Sequence, residues 1–240
     1  MATALADKPV LAIDAEPAAI VAWAAREFGD GLVLACSFSL EDAVVVDLWS
    51  RVGRPRVFAL DTGRLPEESY RAAESLAARY DLAIEWYFPA AAAVEGLLRA
   101  KGPFSFYASL ADRRECCAVR KVEPLRRALA GRRAWLTGMR REQAASRAGL
   151  DPVAWDADHG LVKVSPLAAW SRAQVDAYAA EHGVPVHPLH RRGYPSIGCA
   201  PCTRPVAPGQ DERAGRWWWE APEHKECGLH VGPVAQASRL

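Results

Sequence analysis

The chain has 240 residues, half of them hydrophobic and a quarter charged, as is ordinary for a globular protein. Thirty basic residues against 29 acidic ones leave a formal net charge of +1, so no overall field attracts nucleic acid or an anionic membrane. The sequence has no run of about 18 apolar residues and no apolar N-terminal signal core. We therefore expect a cytoplasmic protein that binds neither nucleic acid nor membrane.

Strands and helices alternate over the first two thirds of the chain. In chain order, the pattern predicts helix 17–28, strand 32–36, helix 42–50, strand 57–60, helix 67–80, strand 83–88, an Ala-rich helix, helix 111–131 closed by Gly131, strand 134–137, strand 161–164, and helix 172–182 capped by Ser171. This order predicts an α/β fold, with a mainly parallel sheet and helices on both faces.

Polar loops begin at Ser37, Asp61 and Gly138, directly after three of the predicted strands. Parallel strands end at the same edge of a sheet, and ligands of such folds bind at that edge. From about His187 onward the regular periodicity is lost, and Pro, Gly, Arg and three consecutive Trp dominate. We expect an irregular C-terminal segment that packs over the sheet, with the Trp run buried against it.

Four of the six cysteines form two close pairs. Cys116 and Cys117 are adjacent in a predicted helix, and Cys199 and Cys202 belong to a C-A-P-C turn. Cysteines of a cytoplasmic protein favour metal binding or catalysis over disulfides. Four thiolates are the ligand number of a cubane iron–sulfur cluster. A zinc site, a redox-active C-A-P-C pair and two buried structural cysteines remain open as alternatives.

Cys227 stands apart in the sequence K-E-C-G-L-H near the C-terminus. Lys225 and His230 lie close to it, and positive neighbours lower the pKa of a thiol and favour the nucleophilic thiolate. The alternative is a dispensable cysteine in a terminal tail. Cys36, at the end of an apolar strand, is expected to serve in packing.

Basic side chains cluster beside these loops and cysteines, where they can converge on a phosphate or sulfate. The alternative is a solvated surface. The S-F-S-L-E-D turn adds backbone N–H groups at a helix N-terminus, which favours an anion. Neither G-x-G-x-x-G nor a Walker P-loop is present. The clusters comprise Arg64; Arg120 and Lys121; Arg140, Arg141 and Arg147; and Arg213 and Arg216.

The chain from about residue 36 to residue 230 resembles the adenylyl-sulfate (APS) and phosphoadenylyl-sulfate (PAPS) reductases, part of the adenine nucleotide α-hydrolase-like group. The resemblance is carried by SFSLEDAV, LDTGRLPEESY, ECCAVRKVEPL, WLTGMRREQ, GCAPCTRPV, RAGRWWWE and KECGLH, in that order. The CC plus CxxC set is typical of the cluster-bearing branch, which mostly uses APS. One departure is Ser39–Leu40, which stands where many members have Gly–Ala. The turn also lacks the S-G-G-x-D-S pattern of the related ATP pyrophosphatases.

The resemblance implies a role for each matching residue. Cys227 is the implied nucleophile, and Cys116, Cys117, Cys199 and Cys202 are the implied ligands of one [4Fe–4S] cluster per chain. The implied substrate-binding residues are Ser37, Ser39, Glu41, Asp42, Asp61, Thr62, Gly63, Arg64, Lys121, Arg140, Arg141, Arg213, Arg216 and His230.

The resemblance also implies the reaction, in which APS is reduced to sulfite and AMP through an S-sulfocysteine, with thioredoxin or a similar dithiol as reductant. Residues 1–205 would then form the nucleotide-binding and iron–sulfur domain, and residues 206–240 the segment that carries the catalytic cysteine. Reduction of PAPS and a non-catalytic, metal-stabilised nucleotide-binding protein are the alternatives. The sequence leaves a homo-oligomeric state open.

Overall fold

The computed structural model describes residues 15–221, 224–226 and 229, and its centre is one six-stranded sheet. The strands are β1 (Leu32–Ala35), β2 (Val57–Leu60), β3 (Ile84–Tyr87), β4 (Ala134–Leu136), β5 (Val153–Asp156) and β6 (Leu161–Val164). Their spatial order is β3-β2-β1-β4-β6-β5. All neighbouring pairs are parallel except β5 and β6, which are antiparallel. The mainly parallel sheet predicted from the sequence is confirmed.

Seven α-helices connect and cover the strands in the described part of the chain. They are α1 (Pro17–Phe28), α2 (Leu40–Ser50), α3 (Glu67–Tyr80), α4 (Ala91–Lys101), α5 (Leu110–Cys117), α6 (Glu123–Leu129) and α7 (Arg172–His182). Ser171 caps α7 as predicted, because its hydroxyl accepts a hydrogen bond from the backbone N of Gln174. None of the helices in the described residues has the length and apolar character needed to cross a membrane.

Helices cover both faces of the sheet, as the alternation of side chains along β1 illustrates. Leu32 and Leu34 belong to a large core cluster with residues of α1, α2, α3 and α7. Val33, between them, points to the opposite face and packs in a smaller cluster with Leu125 and Leu129 of α6. Successive residues of a strand point to opposite faces, so each central strand contributes to both clusters.

The predicted helix 111–131 is interrupted. Helix α5 ends at Cys117, a π-helical turn spans Ala118–Val122, and α6 follows at once. A π-turn inserts one extra residue into the helical register, which rotates the side chains on its two sides relative to one another. Arg120 and Lys121 lie within this turn and are both buried. The interruption therefore determines which way these two cations point.

The chain after α7 contains 3₁₀ turns and no further α-helix or sheet strand among the described residues. It is tied to the sheet by hydrogen bonds from distant loops. The backbone N of Leu40 donates to His190 Nε2 at 3.3 Å, and the backbone N of Ala200 donates to the carbonyl of Arg64 at 2.8 Å. The irregular C-terminal segment predicted from the sequence thus packs against the carboxyl edge of the sheet.

Candidate active site

A cavity of about 210 Å³ opens at the carboxyl edge of the sheet. Residues that directly follow β1, β2 and β4 line it, together with residues 195–199, 212–213, 216–217 and Leu229. Strand β2 lies on one side of β1 in the sheet and β4 lies on the other side. The crevice at the end of β1 is therefore at the point where the strand order reverses. The rim predicted from the loops after the strands is the rim of this cavity.

The loop after β1 is organised by the buried carboxylate of Asp42. Its Oδ2 accepts hydrogen bonds from the backbone N and the hydroxyl of Ser37, both at 2.7 Å, and from the Ser39 hydroxyl at 3.2 Å. Burial raises the pKa of this carboxyl above its ordinary value, although the bonds from Ser37 oppose the shift. Both serines line the cavity. The backbone N–H groups of Ser37 and Leu40 already have partners within the protein, so this loop offers an anion fewer N–H donors than its sequence predicts.

Gly138, directly after Thr137, brings the loop after β4 into contact with the loop after β1. Its backbone N donates to Asp42 Oδ1 at 3.1 Å. A Cβ at this position would lie 2.5 Å from that oxygen and 2.8 Å from both the backbone N of Asp42 and the Cβ of Glu41. The close approach of these two loops therefore requires a glycine.

Arg140 is completely buried among carboxylates. Its Nε donates to Glu41 Oε1 at 3.0 Å, and its Nη2 lies 3.0 Å from Glu212 Oε2. Gln143 also donates to Glu41 Oε1 at 3.1 Å. Glu41, Gln143 and Glu212 line the cavity, whereas Arg140 does not. Arg141 also lies away from it, and its Nε donates to the carbonyl of Leu150.

The D-T-G-R loop after β2 is built around Asp61. Its carboxylate accepts from the backbone N of Gly63 at 2.7 Å and from the Tyr70 hydroxyl at 2.8 Å. Gly63 has a φ of 68°, which favours glycine. Thr62 lines the cavity, but Asp61, Gly63 and Arg64 do not. The Arg64 guanidinium lies over the ring of Phe106, 5.0 Å from its centroid.

The two cysteine pairs, about 80 residues apart in sequence, meet beside the cavity. Cys116 and Cys117 end α5, and Cys199 and Cys202 pack with Phe106 and Trp217 in a small core cluster that Cys116 also contacts. None of the four is in a disulfide. Burial and then the neighbouring Cys199 thiol raise the pKa of Cys202 to about 12, and Cys117 adds to this shift.

Cys199 is the one member of the four that lines the cavity. Its Sγ lies 3.2 Å from the Thr62 hydroxyl. Burial alone would raise the pKa of this thiol, but Lys121, Thr62 and two nearby arginines outweigh burial and leave the pKa below its ordinary value. Among the residues that the structure describes, no three His, Cys, Asp or Glu side chains are arranged to hold a single metal ion. Cys36 is buried in the main core, which agrees with a role in packing, although it also borders the cavity.

Four cationic side chains surround one buried indole, that of Trp217. Their distances to the ring centroid are 4.6 Å for Arg216, 4.8 Å for Arg113, 5.9 Å for Arg213 and 6.0 Å for Lys121. Trp217 is 1 % exposed, and its Nε1 has no hydrogen-bond partner in the described structure. The prediction that the Trp run is buried against the sheet was wrong in one respect, because Trp217 packs against cysteines and Phe106 instead.

Lys121, Arg147, Arg213 and Arg216 line the cavity, so four basic side chains converge where the sequence predicts an anion site. Arg147 is the member that the family resemblance did not assign to substrate binding. Its position in the basic sequence G-M-R-R-E-Q-A-A-S-R was the available signal.

The predicted nucleophile Cys227 and the predicted substrate ligand His230 lie outside the described residues. Two of their sequence neighbours are described. Leu229 lines the cavity and packs against the smaller core cluster, and Glu226 accepts hydrogen bonds from Arg147 and Arg213.

The sheet order and the crevice at its switch point define an α/β protein of the adenine nucleotide α-hydrolase-like class. Residues 31–205 match the phosphoadenosine phosphosulfate reductase domain family. The chain belongs to this family.

Its relatives match most of the chain. It is 51 % identical to an adenosine 5'-phosphosulfate reductase of Allochromatium vinosum over 84 % of this chain and 79 % of that protein. A reductase of the same name from Burkholderia cepacia is 45 % identical over 97 % of this chain and 94 % of that one. The solved structure of phosphoadenylyl-sulfate (PAPS) reductase from Candida auris in a phosphate complex superposes with a TM-score of 0.70 at 28 % identity, covering 80 % of this chain and 92 % of that chain.

Proposed function

We propose that this protein reduces APS to sulfite and AMP in sulfate assimilation, with thioredoxin or a similar dithiol as the reductant. One observation carries the proposal. Glu226 and Leu229 flank Cys227 in the sequence. Leu229 lines a cavity that four cationic side chains also line, and Glu226 accepts hydrogen bonds from two of these, Arg147 and Arg213. The relatives named adenosine 5'-phosphosulfate reductase, at 51 % and 45 % identity, support the choice of substrate.

In the first step, the Cys227 thiolate attacks the sulfur of the sulfo group. A sulfur–sulfur bond forms while the bond from that sulfur to the bridging oxygen breaks, and AMP leaves with the electron pair of the broken bond. An anion here attacks an anionic ester, so the transition state needs positive charge around it. Lys121, Arg213 and Arg216, which line the cavity beside Trp217, would supply that charge.

In the second step, a thiolate of the dithiol attacks the Cys227 sulfur, and sulfite leaves with the electron pair of the sulfur–sulfur bond. The second thiol then attacks the resulting mixed disulfide and restores the Cys227 thiol. The dithiol becomes a disulfide, and its two electrons account for the reduction of the sulfo group to sulfite. The segment around Cys227 must therefore meet the nucleotide first and a protein partner afterwards.

The remaining site residues divide by position. Ser37, Ser39 and Thr62 line the cavity and are suited to contact the nucleotide. Asp42 and Asp61 accept hydrogen bonds from their own loops and would act by shaping them. Arg64, Arg140 and Arg141, which bond to other parts of the protein, would support the cavity wall from behind.

We also propose that Cys116, Cys117, Cys199 and Cys202 hold one [4Fe–4S] cluster. The donor set fits, because none of the four thiols is in a disulfide, Cys116, Cys199 and Cys202 share one small core cluster, and Cys117 lies within electrostatic range of Cys202, as Lys121 does of Cys199. A mononuclear zinc site needs its thiolates around one ion, whereas a cubane cluster gives each thiolate its own iron. Both electrons of the reaction come from the dithiol, so the cluster need not change its oxidation state. When bound, it would instead supply a compact charged group beside Lys121.

Labelling of the cysteine tests the reaction. Incubation with sulfur-labelled APS and no reductant should add one sulfo group to Cys227, detected by mass spectrometry, and addition of a dithiol should release labelled sulfite. Cys227→Ser should abolish both signals, whereas Cys36→Ser should retain them. Turnover without any sulfo group on Cys227 would disprove the proposal.

The cluster and Lys121 need their own measurements. Protein purified without oxygen should be brown and contain about four irons and four sulfides per chain. Lys121→Ala should slow the labelling of Cys227, whereas Lys101→Ala should not, since Lys101 pairs with Asp112 at the surface. Unchanged turnover and APS affinity in the Lys121 variant would argue against its role.

PAPS carries an additional 3′-phosphate, and its reduction by the same chemistry remains the alternative. The ratio of kcat/KM for APS to that for PAPS, measured side by side, decides between the two substrates. The cytoplasmic location and the boundary at residue 205 remain part of the proposal.

A further inference from the structure

A serine and a buried histidine form a hydrogen-bonded pair at one wall of the cavity. Ser69 lies in the first turn of α3, is 2 % exposed and lines the cavity. His187 is 1 % exposed and is not among the residues that line the cavity. The Ser69 hydroxyl and His187 Nε2 are 3.1 Å apart. Neither residue is among those that the family resemblance assigns to the substrate.

The second ring nitrogen of His187 determines which member of the pair donates. Its Nδ1 accepts a hydrogen bond from the backbone N of Leu189 at 3.2 Å, so this nitrogen carries no proton. Burial lowers the pKa of His187 to about 4, so the ring is neutral at pH 7 and its one N–H proton is on Nε2. His187 Nε2 therefore donates to the Ser69 oxygen.

This direction leaves the proton of the Ser69 hydroxyl for another acceptor. A hydroxyl has one proton and two acceptor lone pairs, and the bond from His187 uses a lone pair. In the part of the chain that the structure describes, His187 is the one hydrogen-bond partner of this hydroxyl. Buried hydroxyl groups are usually hydrogen-bonded. Ser69 can therefore donate to an acceptor atom in the cavity that it borders.

The surroundings of Ser69 suit a flat, uncharged ring. Phe38 is buried, lines the cavity and shares the main core cluster with Ala72 and Leu76, on the face of α3 that also carries Ser69. Phe38 has a φ of 63°, a left-handed conformation that is costly for a residue other than glycine and that occurs most often at ligand sites. The Ser69–His187 pair is itself neutral, so it suits an uncharged acceptor better than a phosphate or sulfo group.

We propose that Ser69 donates its hydroxyl proton to a ring nitrogen of the adenine base, and that His187 is a positioning residue that fixes this direction. The inference deepens the proposed function and rests on it. A hydroxyl that can only donate favours a base with a nitrogen acceptor at that place. It disfavours a base that presents an N–H or a C–H there, because the donor is then left without a partner.

Nucleotide analogues test the inference on the wild-type protein. AMP is compared by calorimetric titration with 1-deaza-, 3-deaza- and 7-deaza-AMP, in each of which one ring nitrogen is replaced by C–H. At least one analogue should bind about two- to tenfold more weakly than AMP, the loss expected for one hydrogen bond between neutral groups.

Variants of Ser69 then assign that bond. Ser69→Ala should bind AMP more weakly by the same factor and should no longer distinguish AMP from that analogue. Ser69→Thr, which keeps a hydroxyl, should recover AMP affinity and the discrimination. Ser75→Ala is the matched control, because it is the same substitution at an exposed position of α3 that does not line the cavity.

His187 and the reaction rate need separate measurements. His187→Phe should weaken AMP binding by the wild type but not by Ser69→Ala, because His187 acts through the serine. With saturating APS and no reductant, Ser69→Ala should transfer the sulfo group to Cys227 within about twofold of the wild-type rate, since the base is bound alike before and during the attack.

Three outcomes would overturn the inference. The first is that the wild type binds AMP and all three deaza analogues equally well, whether or not 2′-deoxy-AMP, which tests the ribose instead, binds more weakly. This comparison needs no variant, so it decides even if a substitution prevents folding. The second is unchanged discrimination in Ser69→Ala, and the third is a loss from His187→Phe that is as large in Ser69→Ala as in the wild type. Absence of label on wild-type Cys227 during turnover would instead reject the proposed function itself.

Discussion

Replacement of Gly138 by alanine probes the contact on which the cavity depends. Gly138 lies where the loop after β4 meets the loop after β1, and its backbone N donates to the buried carboxylate of Asp42. The added methyl group would lie 2.5 Å from Asp42 Oδ1, 2.8 Å from the backbone N of Asp42 and 2.8 Å from the Cβ of Glu41. Two of these neighbours are a backbone atom and a Cβ, neither of which a side-chain rotation can move away. One of the two loops must therefore shift.

The cost has two parts. Forcing an extra methyl group into a packed site costs about 1–3 kcal/mol. Weakening the bond from Gly138 N to a carboxylate costs a further 1.5–3 kcal/mol or so. We therefore expect the free energy of unfolding to fall by about 2.5–6 kcal/mol, a large part of the roughly 5–15 kcal/mol typical of a folded protein. Because Ser37 and Ser39 bond to the same carboxylate, a shift of this loop should also weaken the binding of AMP. Each 1.4 kcal/mol of binding free energy that is lost lowers the affinity about tenfold.

Urea unfolding followed by tryptophan fluorescence measures the first effect, and calorimetric titration with AMP measures the second. Gly149→Ala is the matched control, because a Cβ at that loop position meets no atom within 4 Å. It should change stability by no more than about 0.5 kcal/mol. If the two variants unfold at the same urea concentration and bind AMP equally well, the steric argument is wrong.

Three further predictions concern other parts of the molecule. Trp217→Leu removes the ring that three cavity cations contact, and each such contact contributes about 0.5–2 kcal/mol. The affinity for AMP should therefore fall about tenfold or more, whereas Trp217→Phe should retain more of that affinity. An equal loss of AMP affinity in both variants would contradict a role for the ring. Burial lowers the pKa of His187 to about 4. Between pH 6.5 and 4 the unfolded chain therefore binds a proton that the folded protein does not, and the free energy of unfolding should fall by up to about 3 kcal/mol as the pH is lowered through that window. In urea unfolding, His187→Gln should make the stability less dependent on pH. Gly96→Ala, in α4 where a Cβ meets nothing within 4 Å, should raise stability by about 0.5–1 kcal/mol, and an unchanged or lower Tm would count against that reading of the helix.

The fold was largely predictable because its central strands are short apolar runs between polar loops. Two features of the described structure were not. Strand β5, Val153–Asp156, lies at the sheet edge with partly exposed residues, so its sequence lacks the continuous apolar character of a buried strand. The π-turn at Ala118–Val122 leaves no signature in the hydrophobic pattern, because its hydrogen bonds depend on what the flanking helices pack against.

The site was predictable as a set of residue types at one edge of the sheet, but not as a set of contacts. Arg140 has the chemistry to bind an anion, yet it is buried against Glu41 and Glu212, which are 99 and 72 residues away in the sequence. Such partners are brought together only by tertiary structure. The same reason explains why Glu226, whose position beside Cys227 was visible, gave no sign of its bonds to Arg147 and Arg213.

The last wall of the cavity comes late in the chain, and this order has a consequence for biosynthesis. Every strand of the sheet ends by Val164, whereas the wall formed by residues 195–199, 212–213 and 216–217 emerges from the ribosome afterwards. A growing chain can thus form its sheet before the cavity that binds the nucleotide is complete. Binding of nucleotide can therefore stabilise only the completed polypeptide, and a truncated product would not gain this stabilisation.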